Sequence, residues 1–295
     1  MTELSIPTNE DLVSVQYVGG ALVVGNRTGQ LFVSDDLGLN WEIVSQVPGG
    51  TQLNRFDFFN NQVGFACTTS GLYFTENGGQ EWLLVLDNYN VKKVAPVNST
   101  DIIAVGADGF TGSILRSANG GLDWSLVDSS PTCEVFNAVS FRTSLEGYAV
   151  GSNSCIYTTN DGGLSWTADR SDIPELSLND VLVGEVSRGP RPPISFTVMV
   201  ANRGVVLSDA RADSGVEESF DFKLEAVDVR RDFGVIVGEN SVLMSNVALS
   251  KTWAYYYAPD GSTFPYHFLD VVVVDDFQFI VVGRNGVISK FDRPI

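Results

Sequence analysis

The chain has 295 residues, a net charge of −18, 44% hydrophobic residues and only 18% charged ones. That length and apolarity suit a folded chain with a sizeable core and exclude a disordered one. The acidity argues against recognition of a phosphate backbone, which needs a basic face, and against docking on an anionic membrane surface.

The first residues, Met1 to Pro7, carry neither a basic stretch nor an apolar one, so no signal peptide is expected. Glu3 to Ile6 reads as an isolated short strand. The longest apolar run, Val271 to Val274, is too short to span a bilayer. The expected location is therefore the cytoplasm, or a virion assembled there, without membrane insertion.

From Leu12 onward, short apolar strands alternate with turn signals. The first unit is expected at Leu12 to Val18, Ala21 to Gly25, Gln30 to Ser34 and Trp41 to Val44. Between its third and fourth strands lies the phrase Ser34-Asp35-Asp36-Leu37-Gly38-Leu39-Asn40-Trp41. The phrase returns as 75–82, 117–124 and 159–166, with its tryptophans at 41, 82, 124 and 166 and spacings of 41, 42 and 42 residues. A repeat at such a period means repeated supersecondary units, and four short strands per unit is the blade pattern.

Each part of the phrase has a physical role. The hydroxyls of Ser34, Thr75, Ser117 and Thr159 can satisfy loop backbone. Asp36, Asn77, Asn119 and Asp161 accept turn N–H groups. Gly38, Gly79, Gly121 and Gly163 supply positive φ. Trp41, Trp82, Trp124 and Trp166 open the next strand and lay an apolar face between sheets. All sixteen are expected to be structural.

Three looser units follow. The fifth is expected at Leu178 to Val183, Ile194 to Ala201, Val205 to Ser208 and Phe220 to Leu224, with Phe222 in place of the Trp and 188–193 as an insertion. The sixth is expected at Glu225 to Val229, Gly234 to Gly238, Val242 to Ser245 and Trp253 to Tyr257. The seventh is expected at Phe268 to Val274, Phe277 to Gly283 and Val287 to Lys290, with Ser289 continuing the hydroxyl series after Ser208 and Ser245. The seventh unit lacks a fourth strand, which Glu3 to Ile6 can supply, removing two open sheet edges at once. The expected fold is an all-β, seven-bladed propeller of four-stranded antiparallel blades, one domain over 1–295, closed by the N-terminal strand.

The phrase resembles the Asp-box, or BNR repeat, of sialidases, sortilin-type receptors and photosystem II assembly factors of the propeller type. Similar propellers recur as accessory parts of phage particles. The resemblance implies a hairpin staple on the propeller rim. It does not extend to sialidase chemistry: the early Arg-Ile-Pro motif is absent, and the nearest string, Asp292-Arg293-Pro294-Ile295, is at the wrong end. Arg55, the one arginine early in a first strand, reads as a solvated or salt-bridged rim residue. A photosystem II assembly factor would carry an arginine patch, which this chain lacks.

Other chemistry is sparse. One histidine, His267, excludes His-based triads and multi-His metal sites. No Asp ladder of the EF-hand type is present, so no metal and no cofactor is expected. Cys67, Cys133 and Cys155 are expected to be reduced and buried, a Cys133–Cys155 bridge being the weaker alternative.

What remains is surface. The phrase loops and 188–193 should share one face, and the connections between blades the other. The loop after Tyr255-Tyr256-Tyr257 contains Pro259, Gly261 and Pro265. Strand alternation would pack Tyr255 and Tyr257 inward and leave Tyr256 exposed. Tyr256, Phe264, Tyr266 and His267 are the expected partner-binding residues. The expected role is a non-catalytic interaction subunit of a larger assembly, such as a phage virion or tail, with other protein subunits as partners. A glycan-binding or degenerate sialidase-like module and a photosystem II assembly chaperone are the alternatives.

Overall fold

The structure is a computed structural model that describes residues 1–169, 176–188, 191–208, 218–246, 253–258 and 260–293. Seven four-stranded antiparallel sheets stand in a ring, with no α-helix among the described residues. Each sheet runs from the axis outward in chain order. The inner strands are Leu12–Val18, Leu53–Phe58, Asn90–Pro96, Phe136–Phe141, Leu178–Arg188, Leu224–Arg230 and Phe268–Val273. Each inner strand packs on those of the two neighbouring blades, and the last packs on the first.

There is no central core. Seven apolar clusters each lie between two consecutive blades. A blade is therefore covered on both faces, and its second strand reads as an unbroken apolar run, as in Phe233–Gly238. The outer strands face solvent; Glu42–Gln46 and Leu83–Asp87 are mostly exposed.

The four phrases are wired alike. Ser34 Oγ donates to Asp36 at 2.8 Å and accepts Gly38 N–H at 2.8 Å, while Asp36 accepts Asn40 N–H at 2.8 Å. The same three bonds recur through Thr75 and Asn77, Ser117 and Asn119, and Thr159 and Asp161. The backbone and side chain of Asn40 hold the Asp36 carboxyl down at about 2. The hydroxyl and N–H of Ser165 do the same for Asp161.

The glycine at the fifth position of the phrase meets two demands. Gly79 and Gly121 have φ of +86° and +95°, and a Cβ there would lie 2.3 Å from Leu31 and 2.2 Å from Phe65, side chains of the preceding blade. The tryptophans fill the same interfaces. Trp82 stacks on Phe56 at 5.4 Å and donates to Ser45 of the preceding blade at 3.1 Å. Trp166 meets Phe141 edge-on at 6.0 Å.

The last blade takes its outer strand from the N-terminus. Thr2–Glu3 pairs with Ile288–Asp292, and Leu4 N–H adds a bond to Ile288. The closing strand thus lies slightly earlier than Glu3 to Ile6; Ile6 turns instead into the interface of blades 7 and 1.

Four expectations need correcting. In blade 7 the register position of the phrase hydroxyls belongs to Phe291, which faces Phe279 as Ser34 faces Leu22; Ser289 lies two residues too early. In blade 5 the outer strand is Glu218–Ser219, and Phe220 and Phe222 stack on each other against Tyr255 of blade 6. The stretch 188–193 is no separate insertion: the first two strands of that blade extend to Arg188 and from Arg191 and pair there, and residues 189–190 lie outside the described residues. The outer strand of blade 6 covers only Ala254–Tyr255, so alternation does not reach Tyr257.

Two outcomes follow from this architecture. Trp166→Ala should cost roughly 3–5 kcal/mol by opening a cavity between blades, and Asp161→Ala about 1 kcal/mol for the lost turn bonds; denaturant midpoints of the two variants should differ accordingly. Deleting residues 1–6 should bare the edge of Ile288–Asp292, lower the melting temperature and promote aggregation, read by calorimetry and light scattering.

Candidate functional site

The face that carries the phrase loops also carries the turns between first and second strands. The axial channel opens there as a cavity of about 800 Å³, walled by the ends of the inner strands. Tyr17, Phe59, Pro96, Phe141, Val229 and Val272 make its mouth, with Arg230 beside them.

Below the mouth, Gln16, Arg55, Asp57, Lys93, Ser140 and Asp228 of the inner strands line the cavity with polar groups. After a bulge in each inner strand, the register-equivalent positions are Ser14, Arg55, Lys93, Ala138, Asp180, Ala226 and Asp270. An inner strand has no partner on its axial edge, so its N–H groups need acceptors. Side chains of the preceding blade supply them. Val15 donates to Asp270 at 2.9 Å, Val94 to Asp57 at 2.8 Å, Val227 to Asp180 at 3.3 Å and Val273 to Asp228 at 2.7 Å. Ser14, Gln16 and Ser140 do the same for Phe56, Phe58 and Val183.

Two cations cross the channel. Arg55 lies 3.0 Å from Asp57 and 3.7 Å from Asp270, reaching past blade 1 to blade 7. Lys93 reaches past blade 4 to Asp180 at 2.8 Å. Burial works against the Arg55 charge, but the carboxylates of Asp270, Asp57 and Asp180 outweigh it and hold the guanidinium protonated. Arg55 is thus salt-bridged, but at the axis and not on the rim. Among the described residues, Asp228 has no cation at contact distance. Burial pushes its carboxyl up to about 6, against the pull of the N–H groups of Val273 and Val229. Burial also raises Asp270, opposed by Arg55.

The ring is similar to YCF48. It superposes on YCF48 bound to D1 peptide with a TM-score of 0.72 and 17% identity, over 99% of this chain and 96% of that one. It superposes on YCF48 from Cyanidioschyzon merolae with a TM-score of 0.69 and 15% identity, over 98% and 97%. An ancestral GH74 enzyme matches with a TM-score of 0.69 and 16% identity, over 97% of this chain but 46% of the enzyme. At these identities the likeness is one of fold. No protein-family model matches the chain, and no curated protein matches it in sequence.

The expected partner residues are not gathered on a surface. Phe264 is 1% exposed and packs among Phe268, Phe291 and Tyr256 in the interface of blades 6 and 7. Tyr256 turns inward with it, because the strand ends at Tyr255; Tyr257 is the exposed one. Tyr266 donates to Glu3 at 2.6 Å and so fastens the closing strand. His267 lies 2.8 Å from Glu225, which also pairs with Lys223. These four serve closure and packing of the last blade. Pro259 and the side chains of Arg188 and Arg191 lie outside the described residues.

The three cysteines are free and buried. Among the described residues, no three His, Cys, Asp or Glu side chains gather to hold a metal, and no helix is long and apolar enough to cross a membrane. The axial charges were missed by sequence reasoning, although a signal existed: a charged residue breaks five inner strands, as in Leu53–Phe58 and Phe268–Val273.

Asp228 gives a pH test with a definite sign. Its folded pKa is about 6, above the ordinary value of about 3.9, so the folded state holds the extra proton. Stability from this group should rise as pH falls from about 7 to 4. Melting temperatures of the wild type and Asp228→Asn, compared across that range, should diverge in the wild type's favour toward acid.

Proposed function

We propose that the protein is a non-catalytic interaction propeller that holds a segment of another protein chain at the axial mouth on the phrase face. One observation carries this reading: an open mouth of mixed lining, with Tyr17, Phe59, Pro96 and Phe141 at its edge, stands over a ring of carboxylates that are all engaged. Both oxygens of Asp57, Asp180, Asp228 and Asp270 already accept a backbone N–H or a cation. Glycoside hydrolysis needs one carboxyl free to protonate and another free to attack or activate water. Aromatic and aliphatic side chains at the mouth, with fixed polar groups below them, suit the side chains of a polypeptide.

YCF48 with its D1 peptide supports the reading from a protein of the same fold, although a shared fold does not transfer a partner. Membership of a larger assembly such as a phage virion rests on the cadence of the repeats alone. A role in photosystem II assembly rests on the shared fold and the resemblance of the phrase. No cofactor enters the proposal.

Panning a displayed random-peptide library on the immobilised protein tests it. The expected result is an enriched sequence that Tyr17→Ala weakens and that Pro96→Arg, placing a long cation across the mouth, blocks. Turnover of a glycoside reporter that Asp228→Asn abolishes would replace this reading with an enzymatic one.

A further inference from the structure

Beside the axial mouth, on the same face, a second cavity of about 530 Å³ lies between blades 1 and 2. Val18, Val23, Val33 and Val44 form its floor. Three of them, Val18, Val33 and Val44, are only half-buried, so the floor is apolar surface that no described part of the chain covers. Two exposed carboxylates, Asp35 and Glu42, stand at its border, with the exposed amide of Gln80 opposite on blade 2. Neither carboxylate has a partner among the described residues, unlike those on the axis. No Lys or Arg lines the cleft.

The surroundings have the same sign. The phrases and outer strands of blades 1 to 3, at 34–46, 75–87 and 117–130, contain eight Asp and Glu and no Lys or Arg. Leu39 and Ile43, on the same edge as Glu42, are 72% and 51% exposed. The lining is mixed, since Asn60, Asn61, Gln62 and Asn77 join Gln80 on the blade 2 side; valines on one wall, with amide oxygens and free carboxylates around them, match a side chain with an aliphatic stem and a cationic head that donates hydrogen bonds. The cleft matches a neutral sugar poorly, since no exposed aromatic face lines it; Phe58 beneath is buried.

We infer that the cleft between blades 1 and 2 is a pocket for an arginine or lysine side chain of an extended polypeptide. The stem lies on the valines and the head reaches Asp35 and Glu42. The acidic edges steer such a chain toward the face before contact. This inference rests on the interaction reading and adds the chemistry of the partner.

The probe is a capped, fluorescein-labelled Arg-Val-Arg-Val-Arg peptide, with Gln-Val-Gln-Val-Gln as its uncharged counterpart, followed by anisotropy at physiological salt. Only the arginine peptide should bind. The double variant Asp35→Asn, Glu42→Gln should lose about tenfold in affinity, since charge-assisted contacts are the strong ones. Gln80→Arg should lose as much. The control Asp108→Asn, Glu134→Gln removes the same formal charge from the opposite face and should change affinity less than about twofold. All five positions are exposed, so melting temperatures should hold and report that each variant is folded. Equal weakening in the two double variants would mean diffuse attraction and overturn the pocket; so would binding of a neutral oligosaccharide that Gln80→Arg blocks. A library peptide held at the axial mouth and indifferent to the cleft variants would leave the interaction reading in place and remove this pocket. Failure of both probes would remove both.

Discussion

Seven strands bring one unpaired edge each to a common axis, and most of the chemistry of this molecule follows from that. Buried N–H groups without acceptors are costly. Here the acceptor is a side chain of the preceding blade at six of the seven junctions among the described residues; only between blades 3 and 4, where Ala95 stands, is there none. Four of those acceptors are carboxylates, and burying them together requires cations. Arg55 and Lys93 provide two, and their length lets them bridge blades that do not touch. The channel is thereby obstructed midway, and its carboxylates are committed to holding the ring. An acidic, axial, pocket-forming cluster would ordinarily suggest catalysis. In this chain both oxygens of each of the four carboxylates already accept a bond, which supports the structural reading proposed above.

The same ring sets the rules at the rim. Since each interface is filled from both sides, a blade keeps its place only if the turn before its outer strand is rigid and close to its neighbour. The phrase does both: a hydroxyl and an Asp or Asn lock the turn, and a glycine lets it touch the preceding blade. Where the phrase decays, other contacts replace it. Stacked Phe220 and Phe222 meet Tyr255 between blades 5 and 6, and Phe264, Phe268 and Phe291 crowd the junction of blades 6 and 7. That crowding explains the aromatic loop better than recognition does.

Charge then sorts the surface. With the axial carboxylates neutralised or engaged, the excess of acid lies outside, and blades 1 to 3 carry it on edges that lack any cation. Such a surface repels nucleic acid and anionic lipid and attracts basic polypeptide. Specificity must come from shape beside the charge, which is why a valine-floored cleft between two blades matters more than the count of carboxylates.

Much of the fold was legible in the chain because it is written locally. A phrase at a period of 41 or 42 residues fixes the turns, the tryptophans and the number of units, and a missing last strand with a spare first one implies closure. Local pattern also placed the four strands of the first blade to within two residues. It failed where the ring, and not the neighbouring residues, sets the environment. Nothing near Phe264 in sequence shows that Phe291 will lie 5.2 Å away, so a buried aromatic read as an anchor. Nothing near Arg55 shows Asp270, 215 positions further on, so an axial cation read as a rim residue. Sequence determined what each blade is. Only closure of the ring decided what faces its axis and its clefts, because those contacts join residues whose distance along the chain carries no periodic signal.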